Sequence, residues 1–200
     1  MAEDVRRLLR ADLYRYRGQV TNRAFRDAWM REPGFRFTCY LRKVAYYAPR
    51  RRGVRLLPYL YNRILLNHYK FRYGFDISPQ TRIGPGLYLG HFGGVVINPA
   101  VILGANVNVN KGATIGATSR GTRKGSPILG DRVWVGSNAT IVGSISVGDE
   151  ALIAPGAYVN FDVPPRAVVL GNPGRIVSNT GSDGYVNNLS EEPGKGWYEA

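Results

Sequence analysis

The rarest reactive side chains in this sequence are two histidines, His68 and His91, and one cysteine, Cys39. A single cysteine allows neither an intrachain disulfide nor a Cys-based metal cage. Two histidines fall one short of a three-histidine zinc site, so no metal is expected. An imidazole titrates near neutrality and can take a proton from a hydroxyl. His91 stands in the run Gly90-His91-Phe92-Gly93-Gly94; on the residues alone it reads either as a general base or as a solvent-facing corner. His68, in LLNHYKF, reads as a helix-surface or interface residue rather than a catalytic one. Three cations, Arg120, Arg123 and Lys124, crowd the segment ATSRGTRKGSP (117–127), where they either pair with an anion or remain solvated.

The element that would position His91 is a repeat. At six-residue steps Ile77, Ile83, Leu89, Val95, Val101, Val107 and Ala113 share one register, and Leu129, Val135, Ile141, Val147, Ile153 and Val159 share another. A strict period of six fits neither a helix nor a meander, but it fits a chain wound into a triangular prism, one short strand and one corner per hexapeptide. The expected fold is therefore mainly β, a left-handed parallel β-helix of about five coils, three hexapeptides per coil, after an α-helical segment. Gly104, Asn106, Asn108, Asn110, Gly130 and Asn138 are expected to supply positive φ at the corners. The register slips by two near His91 to Gly94. It breaks again at 117–127, which predicts an external loop, the place where a solenoid keeps chemistry.

The remaining chain divides by charge. Residues 1–75 carry 18 Lys and Arg against five acids, whereas the rest carries nine of each, so the whole formal charge of +13 belongs to the front. Apolar spacing there predicts amphipathic helices broken around Pro33-Gly34, Pro49 and Arg52-Gly53. Residues 178–200, rich in Gly, Ser and Asn, read as a flexible tail or an arm lying on a neighbouring subunit. No apolar run suits a signal peptide or a spanning helix, and cytoplasm is the expected compartment. The expected units are 1–75 (basic, helical), 76–177 (β-helix) and 178–200 (tail).

The fragments 74–116 and 130–177 resemble serine acetyltransferases and, more closely in GHFGGVVIN, bacterial O-acetyltransferases of capsule and exopolysaccharide synthesis such as those of colanic acid. The His corner, the loop length, Val163-Pro164-Pro165 and the ending Gly171 to Val177 carry the resemblance. It implies a homotrimer of prisms using acetyl-CoA bound between subunits, with His91 as the catalytic base and backbone N–H groups of the neighbouring corners holding the oxyanion. It also implies a pantetheine arm along the edge of the coils at Gly116, Ala117, Ser137 and Pro155, with CoA phosphates near Arg120, Arg123, Lys124 and Arg175. Gly90, Phe92 and Ser126 fall at acceptor-contacting positions.

Serine acetyltransferases place an acid just before this His and an Arg-His pair just before the Pro that ends the loop. Gly90, Gly125 and Ser126 stand there instead. An amino acid acceptor would lose charge partners, so the expected acceptor is a hydroxyl of a surface polysaccharide or its precursor. The alternatives are serine O-acetylation and a non-catalytic trimeric scaffold. Three-histidine zinc carbonic anhydrases share the repeat but fail on histidine count. The basic front is expected to touch an anionic membrane or an acidic polysaccharide rather than nucleic acid, since no nucleic-acid motif is present.

Overall fold

The computed structural model describes residues 3–190 and shows four helices leading into a parallel β-helix. The helices are α1 (Glu3–Arg17), α2 (Asn22–Arg31), α3 (Pro33–Tyr47) and α4 (Leu56–Tyr73). Their ends follow local chemistry. Thr21 accepts the Ala24 N–H at 3.1 Å to cap α2, Pro33 opens α3, and Gly74 ends α4 in the left-handed region at φ 68°. Between α3 and α4 the chain makes two 3-10 turns, Ala48–Arg50 and Gly53–Arg55, where Pro49 and Gly53 break the helical pattern.

Each coil of the β-helix visits three faces. Face one stacks Phe75–Ile77, Val95–Ile97, Thr114–Gly116, Thr140–Val142 and Tyr158–Val159 in that order. Face two stacks Arg82–Ile83, Ile102–Leu103, Ile128–Leu129 and Ser146–Val147. Face three stacks Tyr88–Leu89, Asn108–Val109, Trp134–Val135, Leu152–Ile153 and Val168–Leu170, closed by the antiparallel Arg175–Ser178. Ile77, Ile97, Ile115, Ile141 and Val159 stand in one inward column. The aliphatics of both hexapeptide registers are buried. The slip near His91 is a corner two residues longer than the others, and the break at 117–127 is a loop pinned at its base by the reciprocal Thr118–Gly125 backbone pair at 2.9 Å.

The corners correct one expectation. Of the six residues assigned to positive φ, only Asn106 (57°) and Asn138 (59°) adopt it. Gly104 is required for a different reason: a Cβ there would lie 2.4 Å from the Gly130 carbonyl, so the stacked corners leave no room. Asn108 and Asn110 use their side chains instead, as described below.

A second difference concerns the arginines, which sequence pattern alone assigns to a polar outer face. Arg42 is buried and binds buried Asp12 through Nε (3.0 Å) and Nη2 (3.1 Å). The same guanidinium donates to the carbonyls of Ile83 and Gly84, each at 2.6 Å, while Asp12 accepts the Leu87 N–H at 2.9 Å. This network clamps α1 and α3 to the first coil. Arg15 is a second hub, donating to Asn187 O (2.9 Å), Gly86 O (3.2 Å) and Asn108 Oδ1 (2.5 Å). Burial lowers its pKa to about 10, so it stays charged at neutral pH.

The C-terminal segment differs from the loose tail that its composition predicts. Residues 179–190 run back over face three: Asn108 donates to Tyr185 O (3.1 Å), Tyr185 packs on Trp134 (5.1 Å), and Asn106 accepts the Ser190 N–H (3.0 Å). Backbone–side-chain bonds to buried asparagines compensate for the segment's lack of apolar residues. Residues 191–200 of the expected tail lie outside the described residues.

Candidate functional site

His91 sits on the corner between Tyr88–Leu89 and Val95–Ile97, at the edge joining face three to face one. The helices grip the strand that leads to it. Tyr16 Oη accepts the Leu89 N–H at 2.9 Å and donates to the Leu89 carbonyl at 3.3 Å, and burial raises the phenol's pKa, which keeps that proton in place. Gly34 lies so close behind that a Cβ would be 2.3 Å from Leu89 O. On the far side, the Val95 N–H donates to Gly74 O at 3.0 Å, joining the end of α4 to the corner. Phe92, exposed, leans toward Tyr73 with ring centroids 6.3 Å apart.

His91 itself is exposed and makes no hydrogen bond or ion pair among the described residues, leaving both ring nitrogens open to a ligand. Gly93 (φ 118°) and Gly94 (φ 68°) turn the backbone, and none of the N–H groups of residues 91–94 donates a backbone hydrogen bond among the described residues. Consecutive unpaired N–H groups at such a turn form an anion-binding concavity. A histidine base beside free N–H donors can remove a hydroxyl proton and hold the oxyanion of an acyl transfer. The glycine pair next to His91 was the sequence signal for this donor set; the supporting roles of Tyr16, Gly34 and Gly74 had none.

The corners below His91 stack directly upon it. Gly112 N–H donates to Gly93 O (2.8 Å), Asn138 N–H to Lys111 O (2.9 Å), and Gly156 N–H to Ser137 O (2.9 Å). His91, Ser137 and Pro155 therefore share one edge. Gly116, Ala117 and the 117–127 loop leave from the opposite edge of face one, between faces one and two. A strand and its corners separate the two groups, roughly 10–15 Å at ~3.3 Å per residue. The pantetheine positions expected along one edge are thus divided between two edges within one chain.

The remaining candidates are placed as follows. Gly90 stacks above Asn110, whose Oδ1 would lie 2.7 Å from a Cβ on Gly90 and whose Nδ2 donates to Val135 O at 2.9 Å. Ser126 is half-buried at the base of the loop, with Oγ 3.4 Å from Asn98 Oδ1. Gly125, at φ 137°, has Ser144 Cβ 3.0 Å from where its own Cβ would be. Arg120 and Lys124 are exposed on the loop, and Arg175 is exposed at the start of the antiparallel strand. Arg123 is engaged by Asp162 at 2.8 Å. The Ser146 N–H and then Arg123 hold the Asp162 carboxyl below the usual carboxylate range.

That pair ties the loop to the next coil, and its pH dependence has a definite sign. A carboxyl with a depressed folded pKa contributes fully above the ordinary carboxylate range and loses its contribution as pH falls through the depressed value. Asp162→Ala is expected to raise tryptic cleavage after Arg120, Arg123 or Lys124 about two- to fivefold at neutral pH, the scale of an exposed pair worth up to ~1 kcal/mol. Limited proteolysis followed by mass spectrometry checks this; equal cleavage of both proteins would show the pair to be idle.

A model of the bacterial transferase hexapeptide, six repeats long, matches residues 126–160. Serine acetyltransferase 2 of Arabidopsis thaliana is 40% identical over 105 residues, 52% of this chain and 32% of that protein. The chain spans about a third of the length of the first curated relatives it matches. Among solved structures, Neisseria gonorrhoeae serine acetyltransferase in complex with serine matches with a TM-score of 0.70 and 31% identity, covering 88% of this chain and 69% of that one. A serine acetyltransferase in complex with CoA matches at a TM-score of 0.71 and 25% identity, covering 87% and 70%. These relatives overturn the expectation of a capsule or exopolysaccharide O-acetyltransferase with a saccharide acceptor. Gly90, Gly125 and Ser126, which lack the charges found at those positions in the family, are three residues set against a likeness that covers 88% of the chain.

Proposed function

The chain belongs to the hexapeptide-repeat acetyltransferase family, and from that premise we propose that it transfers acetyl from acetyl-CoA to the hydroxyl of serine. The observation that carries this reading is His91 beside the unpaired N–H groups of residues 91–94, on a fold whose relative in the serine complex is 31% identical over 88% of the chain. His91 takes the hydroxyl proton as the oxygen forms its bond to the thioester carbonyl. The oxyanion is held by the free N–H groups. The C–S bond then breaks, and the CoA thiolate leaves with the proton returned from the imidazolium.

The split between two edges supports assembly. One copy presents His91, Ser137 and Pro155, another presents Gly116, Ala117 and the 117–127 loop, and a homotrimer of prisms brings the two edges together three times. Arg120, Lys124 and Arg175 then remain open to the CoA phosphates, with Arg123 available on exchange of its exposed partner Asp162. Gly90, Phe92 and Ser126 line the acceptor side.

Gly90 and Gly125 cannot carry the charged groups that the resemblance assigns to serine recognition, so serine is held with fewer ionic contacts. The expected kinetic signature is acetyl transfer to L-serine with a KM above the usual range of about 1 μM to 1 mM. Steady-state release of the CoA thiol with L-serine, L-threonine and glycerol tests this. Saturation by serine at tens of millimolar, with less turnover of the other two, is the expected result; no release with serine would refute the acceptor.

A further inference from the structure

The helix that joins the basic front to the β-helix has two apolar faces, and only one is used. Toward the interior α4 buries Asn62, Leu66 and Tyr73, with Tyr59, Leu65 and Tyr69 packed against the core. On the opposite side Leu57, Leu60, Tyr61, Ile64 and Phe71 form an outward stripe, within a sector of about 100° at ~100° per residue. Val54 extends it into the preceding turn. These residues are open to solvent: Val54 87%, Leu57 74%, Ile64 67% and Phe71 81%. Scattered exposed apolar residues are ordinary, but an aligned row along an 18-residue helix is a docking surface.

Its surroundings select the occupant. From Pro33 to Phe75 there is no Asp or Glu, and Arg50, Arg51, Arg52, Arg55, Arg63 and Arg72 flank the stripe and its N-terminal turn. All six are exposed. Arg50 lies over the Tyr46 ring (4.5 Å) and Arg51 over Tyr59 (5.9 Å), which holds both guanidinium groups at the surface. A second copy laid on this face would bring arginine against arginine with no acid on the face to pair them. An anionic surface meets the opposite situation, apolar residues entering it and cations remaining at its charged boundary.

We propose that α4 and the turn 48–55 dock the protein on an anionic lipid bilayer, the helix lying in the membrane plane. Among the described residues no helix is long and apolar enough to cross a membrane, so the contact is peripheral. It is also narrower than the whole basic front, because Arg15 and Arg42 are buried in internal networks and Arg36 binds Trp29 O at 2.7 Å and Tyr73 Oη at 2.6 Å.

The test uses the full chain and extruded vesicles of phosphatidylcholine, with or without phosphatidylserine at about three lipids in ten, at ~0.1 M and ~1 M salt. At the lower salt, co-sedimentation is expected to be at least about tenfold stronger with the anionic lipid, and high salt is expected to weaken it. The triple variant Leu57→Ser/Ile64→Ser/Phe71→Ser is expected to lose about tenfold or more while keeping the wild-type melting profile. A Tyr61→Trp protein provides a readout that does not depend on the triple variant folding: its emission should shift to the blue with anionic vesicles. Absence of that shift, vesicle binding indifferent to phosphatidylserine, or a folded triple variant that binds like wild type would overturn the proposal. So would a triple variant that changes only the oligomeric state, which would assign the stripe to a second copy.

Discussion

Replacing His91 with alanine is expected to lower kcat for acetyl transfer to serine by about 10²- to 10⁴-fold, the usual contribution of a positioned general base. Among the described residues the only other histidine is His68, which is exposed on α4 with its ring against Tyr69 at 5.0 Å. No second histidine stands on the corner 90–94 or on the corner 110–113 stacked below it. The variant should fold normally, because His91 is exposed and bonds to nothing else in the described chain, and the Tyr16 Oη–Leu89 and Gly74–Val95 bonds that shape the corner do not involve the His91 side chain and survive the change. Acetyl-CoA binding should also survive, since the residues proposed above to meet CoA lie on the lower corners, on the loop and at Arg175, away from His91. Stopped-flow or steady-state thiol release, paired with calorimetric binding of CoA, separates these effects. Loss of kcat with CoA affinity intact is the signature of a base; a fall in CoA affinity with kcat retained would reassign His91 to binding.

The second large effect is structural. Asp12→Ala is expected to destabilise the fold by about 3–5 kcal/mol, because it leaves Arg42 charged and buried and strips the Leu87 N–H of its acceptor. At about 2–4 °C per kcal/mol for a chain of this size, the melting temperature should fall by about 6–20 °C. The double change Asp12→Leu/Arg42→Met removes both charges and should recover part of the loss. Scanning calorimetry of the three proteins decides it. A single-mutant loss below about 1 kcal/mol would mean that water reaches the pair and that α1 and α3 are held by apolar packing alone.

The contrast between these two regions shows what a linear sequence exposes. The β-helix was legible because its signal is local and repeated: Ile97, Leu103, Val109 and Ile115 recur at six, and both departures, at 89–97 and 115–129, are a longer corner and an external loop in the structure. His91 stands out in the sequence because it sits at one of those departures. The Asp12–Arg42 clamp was not, since its partners lie 30 residues apart and a buried arginine has the same letter as a solvated one. The same holds for residues 179–190, where low apolar content suggested looseness while Asn106 and Asn108, more than 70 residues away, supply the bonds that order them. The saccharide acceptor expected from Gly90, Gly125 and Ser126 is overturned for a related reason: three residues near the site weigh less than a likeness to a serine acetyltransferase that runs over 88% of the chain.

Mass spectrometry of the products after incubating the protein with acetyl-CoA and L-serine, beside the His91→Ala protein, tests the central claim most directly. The account predicts O-acetylserine from the wild-type chain and at most about one hundredth as much from the variant in the same time. No O-acetylserine from the wild type, or equal amounts from both, would contradict it.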